Sequence, residues 1–213
     1  MAAHKKGMSD CPFCRTPLPE SADESLAMIQ MRVDKKDPDA LYFLGKQYFH
    51  GALGLQMDMR KAVELYGVAA ELGSTAALYC LANVYFFGEG VQENKAKGLQ
   101  CWAKAAMQGH VECRFNLGCY EIDEEGNSER AAKHFLISAK MGDVRSVEEI
   151  KDMFMGGVAT KEQYTEALRG YQDAVEEMKS RDRDEAKAFL ESERVVPVKK
   201  SKKKKEGRKK KKK

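Results

Sequence analysis

The sequence predicts an all-α fold, a right-handed superhelical solenoid of stacked antiparallel helix pairs that ends in a disordered lysine-rich tail. Three observations carry this. A small-residue pair and a glycine close a helical unit three times, at Ala69-Ala70-Glu71-Leu72-Gly73, Ala105-Ala106-Met107-Gln108-Gly109 and Ser138-Ala139-Lys140-Met141-Gly142, with intervals of 36 and 33 residues. Leu44-Gly45, Leu81-Ala82 and Leu117-Gly118 recur in the same register, as do the aromatics Tyr66, Trp102 and Phe135. No stretch between residues 39 and 178 alternates apolar and polar residues as a strand would. Self-similarity at such a period marks a repeat array, whose units bury their apolar faces only by stacking on neighbours.

The elements follow in order. Residues 1–20 hold a cysteine pair and no helical pattern. Over 21–36, Ser21 and Glu24 are spaced as a capping box, and Leu26, Ile29 and Val33 fall on one stripe. This segment is expected to cap the apolar face of the first repeat. Asp37 and Pro38 then suit the N-cap and first turn of the next helix.

Residues 37–178 divide into about four units, 37–73, 74–109, 110–142 and 143–178. Each reads as a helix (Leu41, Leu44 and Tyr48; Leu78, Leu81 and Tyr85), a glycine-bearing break, and a second helix opened by a polar cap. The cap candidates are Asp58, Asn94, Asn127 or Ser128, and Thr160, the last with Gln163 in a capping box. Leu81 to Trp102 spans 21 residues but Leu117 to Phe135 only 18, so the missing three fall in the loop inside the third unit. The fourth unit keeps Ile150, Gly156-Gly157 and Tyr171 but loses the Leu-Gly pair, as a terminal repeat does. A helical extension is expected over 179–198, and residues 199–213 form the tail.

The pattern A-x-x-x-L-G-x-x-Y-x-x-G, then D/N-x-x-x-A-x-x-x-Y/W, then A-A-x-x-G resembles the Sel-one-like repeat (SLR), a longer relative of the tetratricopeptide repeat. Ala40, Leu44, Gly45, Tyr48 and Gly51 carry it in the first unit, and Ala77, Leu81, Tyr85 and Gly88 in the second. The third departs at Glu121, where the tyrosine belongs. The resemblance implies a non-catalytic scaffold or adaptor for protein partners. It also implies that the first helix of each unit lines the concave side. On those helices Tyr42, Tyr79 and Phe115 form one column outside the core and Lys46, Asn83 and Cys119 its neighbour, which makes these six the candidate partner contacts.

Cys11-Pro12-Phe13-Cys14-Arg15 is similar to the last zinc-ligand pair of a RING finger. Zinc needs four ligands, and Cys11 and Cys14 supply two, so no metal is expected to bind this chain alone. Either the turn is a bare C-x-x-C, or Met1 is internal and the remaining ligands lie upstream. In the latter case the repeats would recruit substrate for a RING-type ubiquitin ligase, with zinc as cofactor and a ubiquitin-conjugating enzyme as partner.

Charge divides the chain. Residues 199–213 hold twelve Lys or Arg against one Glu, a net of +11, while residues 1–198 carry 25 basic against 32 acidic residues, a net of −7. The tail cannot bury enough apolar surface to fold. It is suited to nuclear targeting, to weak salt-sensitive contact with polyanions, or to attraction toward the acidic repeats; a misread gene end would also yield such a tract. No aromatic interleaves its lysines, so bases have nothing to stack on. Beyond the Cys11 and Cys14 pair the four other cysteines (Cys80, Cys101, Cys113, Cys119) are scattered, and with no secretory pattern at Met1–Asp10 they point to a reducing intracellular compartment, cytoplasmic or nuclear, without membrane insertion.

Catalytic chemistry has little support. His50, His110 and His134 are not spaced as metal ligands, Asp123-Glu124-Glu125 reads as a solvated turn, and Gly88-Glu89-Gly90 as a loop breaker. His110 is expected to open a helix, and Trp102 to sit buried between the second and third units.

Overall fold

The computed structural model describes residues 19–180, 182–185 and 188. Among them the chain runs through helices α1 (Ala22–Val33), α2 (Pro38–His50), α3 (Met59–Glu71), α4 (Thr75–Phe87), α5 (Lys95–Met107), α6 (Val111–Asp123), α7 (Ser128–Lys140), α8 (Val144–Met155) and α9 (Lys161–Glu177). No strand occurs among the described residues. Helices α2/α3, α4/α5, α6/α7 and α8/α9 are antiparallel pairs, and each pair stacks on the next. The pairs thus form the solenoid that the columns predict. The cysteine turn at residues 11–15 and the lysine tail lie outside the described residues, as does most of the 179–198 extension.

The sequence caps its own helices. Asp58, Asn94, Asn127 and Thr160 each accept a hydrogen bond from a backbone N–H in the first turn of α3, α5, α7 and α9. Of the two candidates for α7, the cap is Asn127. Thr160 and Gln163 make a reciprocal capping box. The box expected at Ser21 is half-formed. Ser21 accepts from the Glu24 N–H, but the Glu24 carboxylate bonds the N–H of Glu20 instead of that of Ser21.

The closing glycines are fixed by backbone geometry. Gly73, Gly109 and Gly142 have φ of 98°, 88° and 91°. In each turn the following N–H (Ser74, His110, Asp143) reaches back five residues to Ala69, Ala105 or Ser138, and the glycine N–H to the next carbonyl. This is the Schellman arrangement, which needs a left-handed residue at its centre.

Close approach explains the Leu-Gly column. A Cβ on Gly45 would stand 2.8 Å from the Tyr66 ring, and one on Gly118 would stand 2.5 Å from that of Phe135. In units one and three the aromatic of the second helix therefore packs directly on the backbone of the first. Counted from the N-cap, the fourth member of that aromatic column is Leu168, not Tyr171, since each lies eight residues after its cap. Both pack on the C-terminal core.

The turn inside each of the first three units is clasped by a backbone bond, from Asp58 N–H to the Tyr48 carbonyl, Asn94 N–H to that of Tyr85, and Asn127 N–H to that of Glu121. A cation from the second helix covers each clasp. Lys61 lies 4.4 Å above the Tyr48 ring and Lys97 3.9 Å above that of Tyr85. In the third unit the ring is replaced by Glu121, and Arg130 pairs with its carboxylate at 2.9 Å. The substitution thus trades a cation–π contact for an ion pair in the same place.

The third unit is polar elsewhere too. Arg114 stands where Leu41 and Leu78 do, and His134 where Leu65 and Cys101 do. Arg114 donates to the Ala106 carbonyl at 2.8 Å. Burial, with the charges of Arg114 and Arg130, holds the His134 imidazole below its usual range. Two buried clusters form on either side of this unit, one from Leu41 to Leu117 and one from Ala131 to Ala167. Helix α6 gives Cys113 and Leu117 to the first, and Phe115, Cys119 and Ile122 to the second.

Candidate functional site

The first helices of the units, α2, α4, α6 and α8, present the face on which the six candidate contacts were placed. Tyr42 and Lys46 on α2 and Asn83 on α4 line one groove of 180 Å³, walled by Phe49, Tyr66 and Cys80. Cys119 on α6 lines a second groove of 250 Å³ with Phe86, Phe87, Trp102, Tyr120 and Asp123. The two are one site repeated. Phe49 and Phe86 correspond 37 residues apart, Asn83 and Cys119 36 apart, and Tyr66 and Trp102 36 apart.

The six residues do different work. Lys46 is exposed. Tyr42 is half-buried with its ring 6.0 Å from that of Tyr66, and burial pushes its hydroxyl up, with the Cys80 thiol adding to this. Asn83 accepts from the Trp102 indole N–H at 3.1 Å, so it orients the groove wall. Tyr79 lies outside both grooves and stacks on His110 at 4.9 Å. Phe115 packs 5.6 Å from Phe135, with the Arg145 guanidinium 4.5 Å over its ring. Burial first, then the carboxylates of Glu149 and Asp123, push the Cys119 thiol up to about 11, so it stays protonated. Tyr79 and Phe115 hold successive units together, whereas Tyr42, Lys46, Asn83 and Cys119 border open grooves.

Among the groove residues that escaped sequence reasoning are Phe49, His50, Phe86 and Phe87. Their signal was available, since the Phe49-His50 pair recurs as Phe86-Phe87 at the same 37-residue interval. Phe87 is 60% exposed, a large apolar side chain offered to solvent beside a buried tryptophan. Trp102 itself is 3% exposed and packs 4.6 Å from Phe86.

Around this face several titratable groups are structural. His110 caps α6, its Nδ1 accepting the Cys113 N–H at 3.3 Å, and burial keeps its imidazole below the usual range. Burial likewise pushes the Cys113 thiol up to about 12. Glu124 and Glu125 are exposed, as a solvated turn would be, and pair at the surface with Lys95 at 3.2 Å and the Tyr120 hydroxyl at 2.9 Å. Among the described residues no group of three or more His, Cys, Asp or Glu side chains is arranged to hold a metal ion. Nor is any described helix long and apolar enough to cross a membrane.

Residues 38–74, 75–110 and 111–143 each match the Sel1 repeat. The structure is similar to a Sel1 repeat protein from Oxalobacter formigenes, with a TM-score of 0.61 and 25% identity, covering 72% of this chain and 64% of that one. It also resembles a protective antigen of uropathogenic Escherichia coli strains displaying an SLR fold (TM-score 0.60, 28% identity), over 72% of this chain and 33% of that one. In sequence, 80 residues are 35% identical to chitin synthase regulatory factor 3 of Schizosaccharomyces pombe, 38% of this chain and 9% of that protein. The similarity therefore spans a small part of the regulatory factor and under two thirds of either structural neighbour.

Proposed function

We propose that this chain, built on three Sel1 repeats, is a non-catalytic scaffold that binds a protein partner along its first-helix face. The observation that carries this is the repeated groove. Two equivalent concavities, each walled by aromatics and rimmed by polar side chains, lie in line at the spacing of the array. An extended segment of a partner meets the same chemistry at each step, and half-buried aromatics flanked by polar groups supply the centre of such contacts. The name of the Schizosaccharomyces pombe relative supports a regulatory role exercised through binding.

The test is affinity capture from an extract of the source organism with the full chain as bait. Phe87→Asp and Lys46→Glu on the groove face should abolish recovery of the specific partner, while Met107→Asp on the second helix of unit two leaves it unchanged. Loss with Met107→Asp and not with the groove variants would place the binding surface elsewhere.

The Cys11-Pro12-Phe13-Cys14-Arg15 turn favours a second reading, in which the repeats recruit substrate for a RING-type ubiquitin ligase in the cytoplasm or nucleus. Recovery of a ubiquitin-conjugating enzyme that disappears in a Cys11→Ser, Cys14→Ser variant supports it. Recovery unaffected by that variant rejects it.

A further inference from the structure

The first-helix face reverses its charge along the array. Stepping by 37, 36 and 33 residues, Lys46 becomes Asn83, Cys119 and then Asp152, while Tyr42 becomes Tyr79, Phe115 and then Glu148. His50 becomes Phe87 and then Asp123, and Phe43 ends at Glu149. Asp123, Glu148, Glu149 and Asp152 thus gather on α6 and α8. They share one field, because burial and then the carboxylates of Asp152, Asp123 and Glu148 push Glu149 above the usual range. None of the four makes an ion pair among the described residues. Of the nearby cations, Arg145 is engaged with Asp143 at 2.8 Å and Lys95 with Glu124 at 3.2 Å, while Lys151 stands exposed on α8 among these carboxylates.

Beside Asp123 stand the rings of the second groove, Phe86, Phe87 and Tyr120. Lysine suits such a surface twice over, since its ammonium satisfies carboxylates and ring faces while its methylene stem covers apolar area. The fold already uses lysine this way, at Lys61 over Tyr48 and Lys97 over Tyr85.

The matching cation is in the same chain. Residues 199–213 carry a net +11 against −7 for the rest. The chain leaves the array at Met178, whose methyl lies over Gly142 at the start of α8. The 21 residues from Met178 to Lys199 reach at most roughly 70 Å when extended, against about 18 Å for the length of a twelve-residue helix.

We propose that the lysine segment 199–213 folds back on the acidic end of this face, its ammonium groups on Asp123, Glu148, Glu149 and Asp152 and its stems along Phe86, Phe87 and Tyr120. The proposal deepens the scaffold reading, on which it rests, by making the tail a competitor for the partner's place. Occupancy is then set by salt, because contacts of this kind weaken once the screening length drops below about 8 Å.

Zero-length carbodiimide coupling on the full chain tests it directly, since it joins lysine amines only to carboxylates in contact. An equal mixture of unlabelled and ¹⁵N-labelled chains distinguishes contacts within one chain from contacts between chains. The expected products link tail lysines to Asp123, Glu148, Glu149 or Asp152 within one chain. They should vanish at high salt and in an Asp123→Asn, Glu148→Gln, Glu149→Gln, Asp152→Asn variant. Links scattered over other carboxylates, links only between chains, or links that survive in the variant overturn the proposal. Those results leave the partner-capture test untouched, whereas unchanged capture by Phe87→Asp and Lys46→Glu removes the scaffold reading even if the tail docks as expected.

Discussion

Replacing Arg130 by Met isolates the chemistry that the third unit substituted for a tyrosine. The Glu121 side chain is 7% exposed and its Oε1 receives the Arg130 guanidinium at 2.9 Å, while its Oε2 is buried without a hydrogen-bond partner. Removing the arginine strands a buried carboxylate. Breaking fully buried pairs costs about 3–5 kcal/mol, and an unsatisfied buried polar group about 1–3 kcal/mol. Arg130 is itself 63% exposed, so water partly replaces it and the lower range applies. Arg130 also sits in the first turn of α7, where a positive charge opposes the helix dipole, and its loss returns about 0.5 kcal/mol. The net expectation is about 2 kcal/mol of destabilisation, or roughly 4–8 °C in a melting curve for a domain of this size. Adding Glu121→Gln to Arg130→Met should recover most of that loss, because the stranded charge is gone. Glu121→Tyr with Arg130→Lys, which rebuilds the Tyr-Lys pair of units one and two, should melt near the parent. The reasoning fails if Arg130→Met melts with the parent, or if the Glu121→Gln double variant is no better than the single.

Three further outcomes follow from described contacts. Gly118→Ala should cost about 1–3 kcal/mol by driving a methyl into the buried Phe135 ring, whereas Gly67→Ala, with open space around the added methyl inside α3, should gain about 0.5–1 kcal/mol; chemical denaturation reads both. Trp102→Ala should cost about 3–5 kcal/mol, and an unchanged melting point would mean that the tryptophan does not wedge the second unit against the third. His110 and His134 both have folded values below the usual imidazole value. The folded state therefore binds fewer protons than the unfolded one, so their contribution is complete above about pH 6.5 and is lost as pH falls through and below it. His110→Asn, which keeps an N-cap acceptor without a titrating ring, should flatten part of that slope in a pH series of melts.

Much of the fold was legible in the sequence because its signals are local. A cap such as Asn94, a Schellman glycine such as Gly109 and the ring in contact with Gly118 act within a few residues or across one hairpin, so their types recur at a fixed period. What escaped depends on geometry between columns. Lys61, Lys97 and Arg130 read as ordinary solvated charges until the hairpin brings them over Tyr48, Tyr85 and Glu121. Asn83 looked like a free contact until the Trp102 indole was found bonded to it. The acidic end of the face was missed because the fourth unit lacks the Leu-Gly pair that anchored the register, so Glu148 and Asp152 were not aligned with Phe115 and Cys119.

Helix α6 divides its apolar side chains between two separate cores, and the hairpin it forms with α7 carries Arg114, Glu121 and His134 where its neighbours carry Leu, Tyr and Leu or Cys. In a linear array each interface contributes its own increment, and a weak one sets where cooperativity breaks. The expected fault line of the molecule is therefore the boundary between the two cores, which runs through α6. Segments α7 to α9 should open as one block at lower free energy than α2 to α5, with their amides exchanging together and earlier. A partner laid across both grooves would grip the array on the stronger side and along α6 itself. Binding would then be felt mechanically at the fault, and the acidic end could swing while the aromatic end stays seated.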